Sequence, residues 1–390
     1  MSEAKLRVAL LCPGIGLVRR GGETFISECY SGLRALNCAS LDVTLFQGGE
    51  REKGGAQRLW CLHRYSPTAR RIGKLRIPRG NGIDRGHWTE CLTFSLSYLL
   101  KRNTFGQHDV VHVTDSQLKN FFCLYKRLGI LKCTLVFSVG LSLRLLGCGL
   151  ADERQHASID VYHFSNQRDL REAIARGIVP SDKACYIPQG VDVVKFSAGD
   201  PLRGLGVRRH FGIPDTAKVV VSVGVFDRSK NMNTLLDAFG DLPTSCYLTV
   251  LGDSADRILL EEARSRLGKR FVFKRLAQRD LVDFLSTCNV FAFPSMEESF
   301  GRSIPEAACA GLPCLVHDDE LFTDLIPDPH FRVNMSDARA LRHRLVLALE
   351  DCGGEKLRFA PTAARIKERF GWQTLAPIYA QRLYGLRNPC

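Results

Sequence analysis

Pro294-Ser295-Met296-Glu297-Glu298-Ser299-Phe300-Gly301-Arg302-Ser303-Ile304-Pro305-Glu306-Ala307 lies between two apolar runs, Asn289–Phe293 and Cys314–Val316. Read physically, it is a loop carrying acids and a glycine, then a helix start, set between two buried strands. In open α/β sheets, ligands sit where strands end and helices begin, because backbone N–H groups and the helix dipole point there. Glu298 and Glu306 stand eight positions apart with Phe300-Gly301 between them. Two acceptor-only carboxylates bracketing backbone donors suit a ligand with hydroxyls at both ends and negative charge in the middle. A structural reading stands beside this one. Ser303-x-x-Glu306 is a capping box with Pro305 in the first turn, which would leave Glu306 serving its own helix and Glu297 and Glu298 as solvated loop acids.

The same alternation extends in both directions. Upstream, Val219–Val225, Tyr247–Leu251 and Arg270–Phe273 read as strands, separated by helices over Met232–Phe239, Arg257–Leu267 and Arg279–Thr287. In the first half, strands are expected at Leu6–Cys12, Leu41–Phe46, Val110–Val113, Thr134–Val139, Val161–Phe164 and Ala184–Ile187. Helical spacing fits Thr24–Leu36, Cys91–Leu100, Leu118–Leu128 and Gln167–Arg176. Short continuous apolar strands alternating with amphipathic helices mean parallel sheets covered on both faces. Two α/β domains are expected, meeting near residues 190–215, where Ser197-Ala198-Gly199-Asp200-Pro201 is rich in turn formers.

At 390 residues the chain is too long for one ordinary core. Its 54 basic against 41 acidic residues give a net charge of +13, which attracts anions without choosing among them. Fifteen cysteines are spread thinly, with no Cys-x-x-Cys pair, and Cys133, Cys246 and Cys314 lie inside apolar runs. Free thiols in a reducing cytoplasm are therefore expected, and no zinc site. The start, Met1-Ser2-Glu3-Ala4-Lys5, lacks the apolar core of a signal peptide. Cys133–Ala151 approaches the length of a membrane span, but its β-rich first half and the glycines at 140, 147 and 149 favour a buried strand followed by a loop.

Arg51–Gly86 stands apart, with ten Lys/Arg against Glu52 and Asp84 and with Trp60, His63 and Tyr65 interleaved. It reads either as a solvated, partly disordered loop or as a surface for an anionic acceptor, a lipid headgroup or nucleic acid.

Taken in order, the segments resemble glycosyltransferase family 4. The resemblance rests on Glu298-Ser-Phe-Gly-x-x-x-x-Glu306-Ala, on Cys309-Ala-Gly-Leu-Pro-Cys314, and on Ile187-Pro-Gln-Gly-Val-Asp-Val-Val-Lys-Phe196 at the domain junction. Gly21-Gly22-Glu23 is similar to the family's glycine loop, and Trp372 to Leu386 to its last helix. The fold so implied is GT-B: two Rossmann-like α/β domains, 1–192 and 193–372, with parallel sheets facing across a cleft and a helix at about 373–390 returning to the first. The activity implied is transfer of a hexose-type sugar from a nucleoside diphosphate donor, with UDP as the default nucleotide and anomeric configuration retained. The resemblance implies no metal or cofactor, and no Asp-x-Asp triplet occurs.

Residue by residue, Glu306 would accept from ribose hydroxyls and Glu298 from hydroxyls of the donor sugar, with the N–H groups around Phe300 and Gly301 nearby. Lys230 would face the leaving diphosphate and stabilise its developing charge. Gly21 and Gly22, lacking a Cβ, would let backbone approach that diphosphate. Two positions depart from the family pattern. Val225 stands where an Arg is usual, with Arg228 as a substitute, and Gly140 stands where many members carry a His. His112 and Asp115 are further cleft candidates, His112 reading more simply as a packed strand residue. The acceptor is left open, with an anionic or lipid-linked molecule and peripheral membrane contact favoured by the basic segment, and no nucleic acid expected. Alternatives are a GT-B enzyme that epimerises a nucleotide sugar, or a non-catalytic binder of anionic polymer or membrane through residues 51–86. A dinucleotide-dependent oxidoreductase fits less well, since Gly14 and Gly16 lack the third glycine of the G-x-G-x-x-G fingerprint.

Overall fold

The structure is a computed structural model of the 390-residue chain, and it describes residues 5–18, 20–50, 55–74, 85–105, 107–140, 142–143 and 153–386. The chain forms two compact units, Met1–Gly190 with Trp372–Cys390, and Val191–Gly371.

In the first unit, β1 (Leu6–Cys12), β2 (Leu41–Gln47), β3 (Gln57–Arg58), β4 (Val110–Val113), β5 (Thr134–Ser138), β6 (Val161–Phe164) and β7 (Ala184–Tyr186) form a sheet in the order β3-β2-β1-β4-β5-β6-β7. Every pairing in it is parallel. Six of the seven residues of β1 are buried, as helices on both faces of a parallel sheet demand. On one face, Ala9, Leu11, Val111 and Phe137 meet the helices Arg85–Phe105 and Ser116–Arg127 through Phe94, Tyr98 and Phe122. On the other, Val8 and Leu10 meet Phe25 and Ile26 of the helix Gly21–Ala35, and Leu375 and Tyr379 of the helix Trp372–Gly385. The Trp372 indole donates to Glu28 Oε2 at 3.1 Å. A Cβ at Gly190 would lie 2.4 Å from that ring, and one at Gly32 would lie 3.0 Å from it.

The second unit holds β8 (Lys218–Val223), β9 (Cys246–Leu251), β10 (Phe271–Lys274), β11 (Val290–Ala292), β12 (Cys314–His317) and β13 (Arg332–Val333), ordered β10-β9-β8-β11-β12-β13. These pairings are parallel too. In both sheets the chain runs outward to one edge and then returns to the opposite side of its first strand. The direction reverses between β1 and β4 in one sheet and between β8 and β11 in the other.

Part of the basic segment is packed, which corrects the solvated-loop reading over residues 55–74 and 85–86. Residues 51–54 and 75–84 lie outside the described residues. Ser66 caps the helix Pro67–Ile72 by accepting from Ala69 N at 3.1 Å. Arg64 is 3% exposed and Glu90 wholly buried. The guanidinium donates from Nε to Glu90 Oε1 at 3.0 Å, and the Arg64 backbone N–H donates to Oε2 at 2.8 Å. Of Cys133–Ala151, β5 is the strand expected, and 141 and 144–151 lie outside the described residues. The thirteen described cysteines are free thiols, and burial pushes those of Cys288 and Cys309 up to about 12.

A buried polar chain crosses the first sheet. Ile187 O can only accept, so His163 donates to it from Nε2 at 2.7 Å. Nδ1 of His163 then accepts from Ser138 Oγ at 2.6 Å, and Ser138 accepts in turn from His112 Nε2 at 2.6 Å. Tyr379 donates to Pro188 O at 3.1 Å, tying the C-terminal helix to the same place. Burial holds His112 down to about 3 and His163 to about 4, so both are neutral.

Two outcomes follow for stability. Arg64→Met leaves Glu90 buried without its cation and should lower the unfolding free energy by about 3–5 kcal/mol in denaturant titration. Adding Glu90→Leu should recover part of that, the Arg64 N–H still lacking its acceptor. The unfolded chain protonates both histidines below their ordinary pKa near 6.5, whereas the folded chain resists. Stability is therefore full above about pH 6.5 and falls as pH drops toward 4, by about 1.4 kcal/mol per pH unit for each histidine. Asp115, held down to about 2, adds its own loss only below about pH 4. His112→Gln should lower the slope between pH 6 and 4.5 by the share of one histidine, with His163 and His108, both held down by burial, keeping theirs.

Candidate functional site

In the second unit, the loops following β8 and β11 leave adjacent strands at the point where strand order reverses, the place where open α/β sheets bind ligands. Phe226, fully buried against Phe271 and Phe273, anchors the first loop. Asp227 shapes the next turn, accepting from Lys230 N at 2.9 Å and Ser229 Oγ at 2.7 Å. Asn231 then takes a left-handed φ of 56°, a region its short polar side chain tolerates better than most. Its amide donates to Pro294 O at 3.1 Å and Met335 O at 2.7 Å, and its Oδ1 accepts from Thr234 Oγ1 at 2.7 Å. One side chain thus fastens the β8 loop to the β11 loop. Across that junction Lys230 Nζ meets Glu298 Oε1 at 2.6 Å, the two side chains 30% and 17% exposed.

The β11 loop is held by its own packing. Phe300 is buried against Phe370, with ring centroids 5.9 Å apart. Gly301 has φ +79°, and a Cβ there would lie 2.9 Å from Ile304 Cδ1, so only glycine suits the turn. The helix runs Ser303–Cys309, preceded by Arg302 in helical conformation with no side-chain cap. Ser303 Oγ donates to Val223 O at 3.2 Å. This corrects the capping-box reading: the hydroxyl is spent on β8 and does not cap the helix. Glu306 faces Arg302 at 3.6 Å, the two side chains 14% and 9% exposed. Arg302 is a site residue that sequence reasoning missed, since it occupies a spacer position of the motif and its only signal was adjacency to Gly301.

Lys230, Glu298, Phe300, Gly301 and Glu306 therefore lie on two loops and one helix start that the fold brings together. Arg228 is turned elsewhere. Its guanidinium pairs with Glu262 on the helix Arg257–Leu267 at 3.5 Å, 59% exposed, so its substitution for an arginine at Val225 is not what the structure displays. Electrostatically the site has a lysine and a buried-side arginine, each already facing one carboxylate. A ligand with anionic and hydroxyl groups could exchange into both pairs.

In the first unit, Gly21 and Gly22 open the helix Gly21–Ala35 and are exposed. At Gly22 an added Cβ meets no protein atom within 4 Å. The close approaches lie at other glycines: a Cβ at Gly14 would be 2.3 Å from Glu23 Oε1, and one at Gly49 2.4 Å from Gly16 backbone. Gly140 follows β5, where a Cβ would lie 3.4 Å from Thr114 O, so the fold does not itself require glycine. His112 belongs to the buried chain described above.

Asp115 ends up beside His87 and Cys91, with metal-ligating atoms of all three within 4.8 Å of one another. Sequence spacing could not reveal this set. The atoms are already engaged, however. His87 Nε2 lies 2.6 Å from Asp115 Oδ2, Cys91 donates to Oδ1 at 3.4 Å, and the same Oδ1 caps the helix Ser116–Arg127 through Gln117 N and Leu118 N. The arrangement reads as a capping network that ties two helices together.

Residues 207–366 match the family described as glycosyl transferases group 1. The chain is 27% identical over 248 residues to the D-inositol 3-phosphate glycosyltransferase of Xylanimonas cellulosilytica, covering 60% of this chain and 59% of that one. It is 22% identical over 230 residues to a GDP-mannose-dependent monoacylated alpha-(1-6)-phosphatidylinositol monomannoside mannosyltransferase of Corynebacterium glutamicum, covering 56% and 60%. The alignments thus span about three fifths of the length of these relatives. Among solved structures, sucrose-phosphate synthase from Thermosynechococcus elongatus superposes with a TM-score of 0.76 at 19% identity over 98% of this chain and 99% of that one. Anabaena HepE in complex with UDP and glucose gives 0.72 at 16% identity, over 97% and 100%. By its matched segment the chain is similar to the group 1 glycosyl transferases, of the family 4 type, and its two units with parallel sheets have the GT-B fold of these solved neighbours.

Proposed function

We propose that the chain transfers a hexose-type sugar from a nucleoside diphosphate donor to a hydroxyl of a sugar or inositol phosphate acceptor, with anomeric configuration retained. The observation that carries this is the Lys230–Glu298 pair, bridged between the loops after β8 and β11 and lying inside the segment matched to the family. The donor would exchange into that pair: its diphosphate draws Lys230, and Glu298 is released to accept from sugar hydroxyls. Glu306 would accept from the ribose, with Arg302 orienting its carboxylate. As the anomeric C–O bond to the phosphate breaks, Lys230 balances the growing negative charge. The acceptor oxygen bonds to the same face of the sugar, and its proton passes to the departing phosphate oxygen.

UDP is the proposed nucleotide. The neighbours' own ligands keep GDP and ADP in play: one relative is GDP-mannose-dependent, HepE was solved with UDP-glucose, and a starch synthase with ADP and acarbose. No cofactor or metal is part of the proposal; Lys230 would supply the positive charge at the diphosphate.

The test is thermal stability with UDP, GDP, ADP and TDP and their sugars, for the wild type beside Lys230→Ala and Glu306→Ala. A ligand at one hundred times its Kd stabilises the native state by about 2.7 kcal/mol, a shift of a few degrees in Tm. One nucleotide should raise the Tm of the wild type, and both variants should lose that rise. With the matching donor sugar, Lys230→Ala should lower kcat by about 10²–10³-fold. An unchanged shift in both variants, or no shift with any nucleotide, would remove the donor site from these loops.

A further inference from the structure

We propose that the outward face of the two helices Arg85–Phe105 and Ser116–Arg127 is a docking surface for an anionic lipid bilayer. The helices pack side by side on one face of the first sheet, with Ser95 Oγ and Tyr125 OH 2.8 Å apart and Trp88 against Phe121 at 5.6 Å. The Arg102 guanidinium donates to Ile130 O, joining their far ends. Their inward residues, among them Phe94 and Phe122, are buried in the sheet core.

The outward side is apolar as well. Leu96 and Leu100 stand one turn apart on the first helix, 44% and 84% exposed, and Leu124 and Leu128 stand one turn apart at the end of the second, 43% and 62% exposed. Ile130 follows at 39%. By helical spacing Leu96 and Leu100 lie off the side that carries Phe94 and Tyr98 into the sheet core, and Leu124 and Leu128 off the side that carries Leu118 and Phe122 there. A helix apolar on both sides is ordinarily one that is covered on both sides. Large apolar surfaces left in water by a folded protein mark a contact site.

Charge selects the occupant. Residues 91–108 and 116–133 contain no Asp or Glu. Lys101 and Arg127 adjoin Leu100 and Leu128 in sequence, and with Lys132 they are exposed. Asp160 pairs with Lys126 and accepts from Leu135 N, and Asp109 accepts from Arg7 N. Exposed leucines and exposed cations on two stretches that carry no carboxylate of their own match the boundary between acyl chains and anionic headgroups. Among the described residues no helix is long and apolar enough to cross a membrane, so the contact lies along the surface. The inference is independent of the sugar-transfer reading.

Flotation of the full chain with phosphatidylcholine vesicles, with and without 30 mol% phosphatidylglycerol (about the anionic share that gives a cytoplasmic-type surface potential), tests this. The mixed vesicles should bind at least about tenfold more protein, and raising salt from 0.1 to 0.5 M should reduce the difference by shortening the screening length. The triple variant Leu96→Ser, Leu100→Ser, Leu128→Ser should lose at least about tenfold in binding with its Tm unchanged, since these side chains support no core. Lys101→Glu with Arg127→Glu should abolish the preference for anionic lipid. Equal binding by the leucine variant would place any membrane contact elsewhere and overturn the proposal. So would absence of vesicle binding, and a wild-type dimer that the leucine variant dissociates would identify a second copy as the occupant instead.

Discussion

Asn231 holds two loops at one height. Parallel pairing of β8 and β11 sets the ends of the two strands a few ångströms apart, but backbone pairing stops where the loops begin. The left-handed turn at Asn231 aims one amide across that gap at the carbonyls of Pro294 and Met335. Lys230 is its immediate neighbour in sequence, so the reach of the lysine toward Glu298 is set by the amide. A residue with no amide there would leave two buried carbonyls without donors and would also face the cost of a positive φ, each about 1–2 kcal/mol. The site's geometry thus rests on a residue that touches none of the chemistry.

The first unit depends on polar groups in a different way. There, His112, Ser138 and His163 form a one-directional series of donors, and Arg64 with Glu90 forms an ion pair shielded from water. Each partner comes from a separate stretch of chain, so each fixes the register of one element against another. Apolar packing would supply comparable stability with less specificity.

What the sequence revealed follows the range of the forces concerned. β1, β4, β5, β8 and β9 were legible because continuous apolar runs report burial on both faces locally. β3 and β13, two residues each, carry no period to read. Glu298, Glu306 and Lys230 stood out through motif spacing, and the fold brings Lys230 and Glu298 into contact. Arg302 was hidden in a spacer, and the Ser303 hydroxyl was misassigned because its acceptor, Val223, is 80 residues away. Arg64 looked like one more solvated cation until Glu90, 26 residues on, was seen beside it. The crowding at Gly14 was equally illegible, since it comes from the folded position of the Glu23 side chain.

The indole of Trp372, lodged against Gly190 and Gly32, has a consequence for how this chain emerges during synthesis. The second unit is continuous in sequence, whereas the first is completed only by the last helix, which covers Phe25 and Ile26. A ribosome adds about 5–20 residues per second, so the first sheet waits roughly 10–40 s after Gly190 for its final layer. During that interval its helix-lined face is unfinished, and the later-made unit can be complete before the earlier one. Loss of the C-terminal segment would accordingly damage the beginning of the protein, leaving the nearer second unit whole.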